Sequence, residues 1–323
     1  MTFVVILVAL ALIFDFLNGF HDSSNIVATI IFSRALSPRI ALAITAIAEF
    51  IGPFLFGVAV ARTIGEGIIS PNIVTPYMVL AALLSAIIWN VITWYFGIPS
   101  SSSHALIGAI VGSVLVSLGW EYIILHGLLK VLIALFLSPV LGMLTGFLVT
   151  KLIYFLAQNA TMRINWLFKN AQVLTGIGLG LSHGANDAQK TMGIITVALI
   201  SMGYLNTFEV PTWVIAASAG AISLGTLMGG WRLIKTLGAK FFKIRPVHGF
   251  STQISAAGVI LGAALLGGPV STTQVVSSAI LGVGSAERLS KVRWGVMSQI
   301  LIAWLLTIPV TALMAALIYI III

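Results

Sequence analysis

Hydrophobic residues dominate nearly the whole chain and form stretches that are longer than the helices of most soluble domains. These stretches cover approximately residues 1–33, 40–61, 77–118, 122–150, 171–200, 213–231, 251–285 and 294–323. A helix of about 20 apolar residues is long enough to cross the hydrocarbon core of a bilayer. The pattern therefore predicts an all-α integral membrane protein with about 10–12 transmembrane segments.

Four of these stretches are long and contain polar or helix-breaking residues. They are residues 1–33, 77–118, 171–200 and 251–285, and Gly, Pro, Ser or Asn interrupts each of them. A continuous helix is expected to fail at such positions. We therefore expect broken helices or helical hairpins in these four stretches.

The composition supports a protein that lies almost entirely in lipid. The chain of 323 residues has 16 basic and 8 acidic residues, and charged residues make up 7% of it. A soluble domain contains about 25% charged residues. No soluble catalytic domain fits this composition, so an enzyme is not expected. The chain has no cysteine, which excludes disulfides and thiolate metal sites, and we expect no cofactor.

The basic residues are concentrated in a few connecting segments. Most of the 16 lie in segments 34–39, 151–169, 232–250 and 286–293. The positive-inside rule places these segments in the cytoplasm. Segments 62–76, 119–121 and 201–212 have little excess positive charge and are expected outside. Both termini are then extracytoplasmic, and stretches 77–118 and 251–285 each cross the membrane twice or form a hairpin.

Two polar motifs occur twice, in the same order. Residues 18–25 resemble residues 182–190 and share a Gly-x-x-Asp core, while residues 97–104 resemble residues 267–274. The charge distribution gives each half an odd number of crossings, about five, so that the second half is inverted. Inverted repeats with paired interrupted helices are typical of secondary transporters. We predict an N-terminal repeat over 1–155, a cytoplasmic linker over 156–170 and a C-terminal repeat over 171–323.

Asp22 and Asp187 occupy matched positions in the middle of apolar stretches. An isolated carboxylate there costs several kcal/mol and needs a cation, a proton or a partner. Nearby amide oxygens belong to Asn18, Asn25, Asn186 and Gln189. Hard oxygen ligands suit Na⁺ or H⁺, and Na⁺ is favoured because no histidine stands at matched positions in both halves. The alternative is a pair of structural carboxylates that accept hydrogen bonds from the backbone.

The second motif places hydroxyl side chains directly after a Gly-x-Pro break. The two clusters are Ser100, Ser101, Ser102 and Ser103 in the first half and Ser271, Thr272 and Thr273 in the second. Ser and Thr are good N-caps, and the N-terminus of a helix binds anions through its free N–H groups and its dipole. We therefore expect each cluster to begin a half-helix that faces an anion. Ordinary hydrogen bonding between helices is the alternative.

The roles of several other polar residues stay open at this stage. Lys190 follows Asp187 by three residues, so it can pair with that carboxylate or add positive potential for an anion. Glu49 is either a relay or the partner of another buried group. His21, His104 and His183 lie in or beside the motifs and are either packing residues or proton carriers.

Enzyme signatures are missing from the sequence. It contains neither the Gly-x-x-x-x-Gly-Lys-[Ser/Thr] of P-loop ATPases nor His-Glu-x-x-His. An anion channel and an intramembrane hydrolase are kept as remoter alternatives. A hydrolase is disfavoured because Ser103 and His104 are adjacent and the serine cluster is duplicated, which fits a pseudo-symmetric binding site better.

The four motifs together resemble the paired signatures of the inorganic phosphate transporter family. The resemblance covers both halves of the chain. It implies a symporter in the cell (inner) membrane that imports phosphate with Na⁺ or H⁺ by alternating access, commonly as a homodimer. H⁺-coupled transport of phosphate or of a metal–phosphate complex, and sulfate transport, are the alternatives. Gln274 stands where a histidine is common in the family, and the short segment 151–169 favours a bacterial or archaeal origin.

Within this resemblance, Asp22, Asn25, Asp187 and the two hydroxyl clusters fall on the family's substrate and cation positions, and the motifs themselves add the neighbouring polar residues. The cation-binding residues are expected to be Asn18, Asp22, Asn186 and Asp187, with Na⁺ at the two aspartates. The phosphate-binding residues are expected to be Asn25, Ser100, Ser101, Ser102, Ser103, Gln189, Lys190, Ser271, Thr272 and Thr273. Phosphate, Na⁺ and the lipid bilayer are then the partners of the chain, and no nucleic acid is expected.

Overall fold

The computed structural model describes residues 2–98, 100–161, 163–229, 244–292 and 294–323. Two features of the sequence lie outside these residues. One is Pro99 of the first Gly-x-Pro break, and the other is most of the basic segment 232–250, including Arg232, Lys235, Lys240 and Lys243.

The described part of the chain is built from α-helices joined by short connections and contains no strand. The helices are α1 (Thr2–Phe32), α2 (Pro38–Phe56), α3 (Ala59–Glu66), α4 (Pro76–Phe96), α5 (Ser102–Ser117), α6 (Leu125–Leu156), α7 (Ile164–Ser201), α8 (Thr212–Met228), α9 (Pro246–Leu265), α10 (Thr272–Glu287) and α11 (Trp294–Ile322). Helix α7 begins at Ile164, so it includes part of the predicted linker 156–170.

In the part of the chain that the structure describes, five helices are long and apolar enough to cross a membrane. They are α1, α2, α4, α6 and the segment Leu301–Ile322 of α11. Their outward faces carry large hydrophobic side chains, such as Leu148 on α6 and Leu305 on α11. Apolar outer faces are what a bilayer requires. The prediction of an all-α, multi-pass membrane protein is confirmed.

The expectation of breaks is correct for two stretches and wrong for the other two. Stretch 77–118 divides into α4 and α5, and stretch 251–285 divides into α9 and α10. Helices α1 and α7, in contrast, run without interruption through the Asp22 and Asp187 motifs. The observed breaks contain Gly97 and Gly267, with φ of 67° and 70°. A glycine in the left-handed conformation ends a helix, and the proline two residues later keeps the helix from continuing. Helices α1 and α7 contain no proline, so they are not interrupted in this way.

Helices α5 and α10 lie in the interior of the protein. Each has 16 residues, a length of about 24 Å, which is shorter than the hydrocarbon core of about 30 Å. Helix α5 packs on α11 and α10 packs on α6, while α1 packs on α8 and α7 packs on α2. The two halves of the chain therefore interlock, and both short helices are enclosed by long ones.

Matched glycines permit the closest of these helix contacts. A Cβ atom at Gly19 of α1 would lie 2.0 Å from the carbonyl oxygen of Ile222 on α8, and one at Gly184 of α7 would lie 2.2 Å from that of Glu49 on α2. Side chains cannot occupy such distances, so the backbones meet only because glycine is present. These contacts fix the position of the neighbouring aspartates on α1 and α7.

We expect Gly184→Ala to destabilise the protein by about 1–3 kcal/mol, because the added methyl group must push α2 away from α7. Thermal unfolding of the detergent-purified variant measures this loss. The matched control is Gly178→Ala on the same helix, where an added Cβ meets nothing within 4 Å. Equal melting temperatures for the two variants would contradict the prediction.

Candidate functional site

A cluster of buried polar residues lies where α1 and α7 meet the first turns of α5 and α10. Every side chain predicted for the cation and anion sites belongs to a buried residue, and none is more than 3% exposed. The backbone N–H and C=O groups of α1 and α7 are paired within these helices. A ligand near α1 and α7 would therefore be bound by their side chains. The cluster is closed to solvent in this conformation.

The two aspartates converge on the hydroxyl of Thr272, the first residue of α10. Thr272 Oγ1 lies 3.1 Å from Asp22 Oδ2 and 2.9 Å from Asp187 Oδ2. A hydroxyl has a single proton and can donate it to only one of these carboxylate oxygens. Two buried carboxylates therefore share one neutral donor, and a cation between them would offset their repulsion.

In the first half of the chain, Asn25 connects Asp22 with α10. The amide Nδ2 of Asn25 donates to Asp22 Oδ1 at 2.8 Å and to Thr273 Oγ1 at 3.0 Å. The hydroxyl of Thr273 in turn donates to Asp22 Oδ1 at 2.5 Å. The two groups that hydrogen-bond to Asp22 Oδ1 at these distances are neutral, and the ring Nδ1 of His21 lies farther away, 3.6 Å from the same oxygen.

In the second half, Lys190 connects Asp187 with α5. Its ammonium group donates to Asp187 Oδ1, to Ser103 Oγ at 2.5 Å and to the carbonyl oxygen of Val270 at 2.8 Å. These three acceptors match the three protons of the ammonium group. The sequence left two roles for Lys190 open, and the structure shows the pairing with Asp187.

The two hydroxyl clusters form helix N-termini, as the sequence predicted. Ser101 is the N-cap of α5 and accepts a hydrogen bond from the N–H of His104 at 3.1 Å, and Ser271 is the N-cap of α10 and accepts one from that of Gln274 at 3.4 Å. His104 Nε2 and Gln274 Nε2 lie 3.4 Å apart. The positive dipole ends of two half-helices thus face each other across the polar cluster.

His183 joins the aspartates to Glu49 of α2. Its Nδ1 lies 2.9 Å from Glu49 Oε1, and its Nε2 lies 3.1 Å from Asp187 Oδ2 and 3.7 Å from Asp22 Oδ2. One ligand atom from each of Asp22, His183 and Asp187 lies within 4.8 Å of the others. This group has the composition and the spacing of a cation site. Glu49 is the partner of another buried group, one of the two roles considered for it.

Five of the predicted residues take part in hydrogen bonds that fix the helices around the cluster. Gln189 Oε1 accepts from the N–H groups of Val60 and Ala61, at the start of α3. Ser100 donates to Thr93 on α4 at 2.9 Å. Ser102 Oγ donates to Asn18 Oδ1 at 2.6 Å and so joins α5 to α1. Asn186 Nδ2 donates to the Gly268 carbonyl at 3.1 Å and so joins α7 to the break before α10.

Asp15 is a buried acid that the sequence analysis did not assign to the site. It lies on α1 two turns before Asp22, and it is fully buried. Its carboxyl group faces the buried hydroxyl of Thr191 on α7. The signal in the sequence was the spacing of seven residues, which places Asp15 and Asp22 on one face of a helix.

The Phosphate transporter family matches residues 18–315 of the chain. A protein of Rhizobium meliloti (strain 1021) named "Probable low-affinity inorganic phosphate transporter" is 47% identical over 315 residues, which cover 97% of this chain and 94% of the relative. A protein of the same name from Bacillus subtilis (strain 168) is 44% identical over 319 residues, which cover 98% and 96%.

One similar solved structure is described as "The sodium-dependent phosphate transporter". It superimposes with a TM-score of 0.91 at 29% sequence identity, and the match covers 100% of this chain and 99% of that one. The arrangement of helices described above is therefore an architecture that is known among transporters. With the family match over nearly the whole sequence, these findings identify the chain as a member of the phosphate transporter family, whose members are transporters and not enzymes.

Proposed function

We propose that this chain imports inorganic phosphate by symport with Na⁺ through alternating access. The observation that carries the proposal is the convergence of Asp22 and Asp187 on the Thr272 hydroxyl, beside the facing N-termini of α5 and α10. Carboxylate and hydroxyl oxygens suit Na⁺, and helix N-termini suit phosphate. The solved structure similar to this chain is described as that of a sodium-dependent transporter.

In the proposed mechanism, cation and anion stabilise each other in a site that excludes water. Na⁺ lies between Asp22 and Asp187, and phosphate lies at the first turns of α5 and α10. Ser103, Thr273 and the positive charge of Lys190 line the phosphate position. Phosphate bound alone adds negative charge beside the carboxylates of Asp22 and Asp187 in a region of low dielectric constant, which is costly. Joint binding reduces that charge, so the site closes on both ions together.

Four side chains position the helices around this site. They belong to Gln189, Ser100, Asn18 and Asn186. Their side chains hold α3, α4, α5 and the break before α10. Alternating access then follows from movement of the α5 and α10 units relative to α1 and α7. The two interlocked halves support a pair of inverted repeats, as 1–155 and 171–323, with the site at their interface.

Uptake of radiolabelled phosphate into proteoliposomes tests the proposed function. We expect uptake to require an inward Na⁺ gradient and to persist in excess sulfate. Uptake driven by an H⁺ gradient alone would overturn Na⁺ coupling, and inhibition by sulfate would overturn the assignment of the anion. Flux without any dependence on a cation gradient would indicate a channel.

The second candidate is symport of H⁺ with a metal–phosphate complex, and His183 is the observation that favours it. If Nδ1 donates its proton to Glu49, the lone pair of Nε2 faces Asp22 and Asp187. A nitrogen and two carboxylates are suitable ligands for a divalent transition metal. In the same proteoliposomes, uptake that requires an H⁺ gradient and external divalent metal would favour this candidate over Na⁺ symport.

We expect Thr272→Val to weaken the apparent affinity for Na⁺ about tenfold. A lost hydrogen bond to a charged group removes about 1.5–3 kcal/mol, and 1.4 kcal/mol corresponds to about a factor of ten. The Na⁺ concentration that gives half-maximal uptake measures the effect. Thr272→Ser, which keeps the hydroxyl, is the control and should resemble the wild type. An unchanged Na⁺ dependence in the valine variant would contradict the role of this hydroxyl.

We further propose a homodimer in the cell membrane with both termini on the outer face. The charge of the connecting segments supports this orientation. Because the chain has no cysteine, a single cysteine placed at Thr2 or at Ile323 can be labelled with a membrane-impermeant maleimide in intact cells. Labelling only after the membrane is opened would reverse the orientation. Chemical cross-linking in membranes tests the dimer.

A further inference from the structure

Asn25 and Lys190 occupy equivalent positions in the two halves of the polar cluster. In sequence, Asn25 follows Asp22 by three residues, and Lys190 follows Asp187 by three. In space, each donates to the aspartate of its own helix. Each also donates to a hydroxyl on the half-helix of the opposite half of the chain: Asn25 to Thr273 and Lys190 to Ser103. The two sets of contacts correspond in these partners, and Lys190 has one further acceptor, the Val270 carbonyl, that Asn25 lacks.

The charges at these equivalent positions differ. Asp187 has an ammonium group on its Oδ1 atom, whereas Asp22 Oδ1 has a neutral amide and a neutral hydroxyl as hydrogen-bond donors and the His21 ring Nδ1 farther away, at 3.6 Å. Both aspartates are fully buried. A buried carboxylate without a positive partner is costly, while a buried pair with good hydrogen bonds is tolerated. The site is therefore symmetric in shape and asymmetric in charge.

We propose that Lys190 is a tethered replacement for one coupling cation and thereby lowers the number of Na⁺ ions carried with each phosphate by one. The inference rests on the proposed function and concerns its stoichiometry. The ammonium group neutralises Asp187 permanently, so only the charge of Asp22 remains to be offset by a mobile cation. A chain with asparagine in both positions has two uncompensated carboxylates and requires one more cation.

Charge and contacts both support this assignment over a role for Lys190 as a simple phosphate ligand. The three donors of its ammonium group are already used by Asp187, Ser103 and the Val270 carbonyl. An ammonium group with all donors engaged contributes to the anion mainly through its field. A mobile cation at the same place would contribute the same field, but it would be transported.

The test compares the wild type with Lys190→Asn, which copies the first half into the second, and with Asn25→Lys, which does the reverse. The ratio of radiolabelled Na⁺ to radiolabelled phosphate taken up by proteoliposomes is measured for each. We expect the ratio to rise by one ion in Lys190→Asn and to fall by one in Asn25→Lys. Lys190→Arg keeps the charge and should keep the wild-type ratio.

A second measurement does not require transport. Na⁺ should stabilise purified Lys190→Asn against heat more strongly, and with a steeper concentration dependence, than it stabilises the wild type. The stabilisation by Na⁺ should be weakest in Asn25→Lys. Equal ion ratios, or equal stabilisation by Na⁺ in all four proteins, would overturn the inference.

A failure of the proposed Na⁺ symport can be distinguished from a failure of this inference. Wild-type uptake that ignores a Na⁺ gradient and follows an H⁺ gradient overturns Na⁺ symport, and the same variants are then compared by the number of H⁺ ions per phosphate. A change of one ion in opposite directions still supports the tethered cation, and an unchanged number overturns it.

Discussion

Asp22→Asn is expected to abolish Na⁺-driven phosphate uptake, with a loss of about 100-fold or more, while the protein stays folded. Asp22 lacks the ammonium partner that Asp187 has, and its Oδ1 accepts hydrogen bonds from a neutral amide and a neutral hydroxyl, so its charge is what a mobile cation would offset. Removing a charged ligand weakens cation binding by about 3 kcal/mol, or about 100-fold. The asparagine can still accept hydrogen bonds from Asn25 and Thr273, which keeps α1 joined to α10. Initial uptake rates in proteoliposomes measure the effect.

The control for this variant is the removal of an acid that lies outside the site. Glu66 is exposed and pairs with Arg62 on the surface of α3, so Glu66→Gln should transport like the wild type. The melting temperature of Asp22→Asn should be close to that of the wild type in Na⁺-free buffer. Normal uptake by Asp22→Asn would overturn the cation site.

The second large effect is expected on stability. Lys190→Met removes the ammonium group and leaves Asp187 as an unpaired buried carboxylate. Breaking one partner of a buried ion pair destabilises a protein by about 3–5 kcal/mol. Thermal unfolding of the purified variant in buffer with choline as the only cation measures the loss, and Na⁺ should restore part of it.

The double variant Asp187→Asn/Lys190→Met separates the lost charge pair from the lost packing. It has no buried charge at this position, so it should recover much of the stability that Lys190→Met loses. Such a recovery is the signature of coupling between two groups in a mutant cycle. The alternative outcome is additivity, in which the loss of stability in the double variant equals the sum of the losses in Lys190→Met and Asp187→Asn. In that case the two side chains are not coupled.

Much of the functional assignment followed from the sequence. The long apolar stretches predicted an all-α membrane protein, since only a bilayer accommodates so few charged residues. The duplicated motifs identified Asp22, Asp187 and the two hydroxyl clusters. The Gly-x-Pro breaks predicted N-caps at the start of α5 and α10, because glycine and proline act locally on the backbone. Each of these features depends on residues that are near one another in the chain.

The tertiary structure decided how these residues combine. Thr272 lies 250 positions from Asp22, and no local pattern could show that its hydroxyl lies between the two aspartates. Gln189 is predicted to bind an anion, and only the structure shows that its side-chain oxygen also accepts hydrogen bonds at the start of α3. The sequence also could not show that α1 and α7 stay continuous, because glycine and asparagine are tolerated in a helix enclosed by other helices.

Composition determined the class of protein, and repetition predicted its two-fold plan and the residues of the proposed site. Only the folded chain decided which of those residues touch, and therefore that Lys190 neutralises Asp187 while Asp22 has a neutral amide beside it. The physical reason is the range of the interactions. Hydropathy and helix ends are set within a few turns of chain, whereas buried hydrogen bonds and charge pairs join segments that meet only when the two halves interlock.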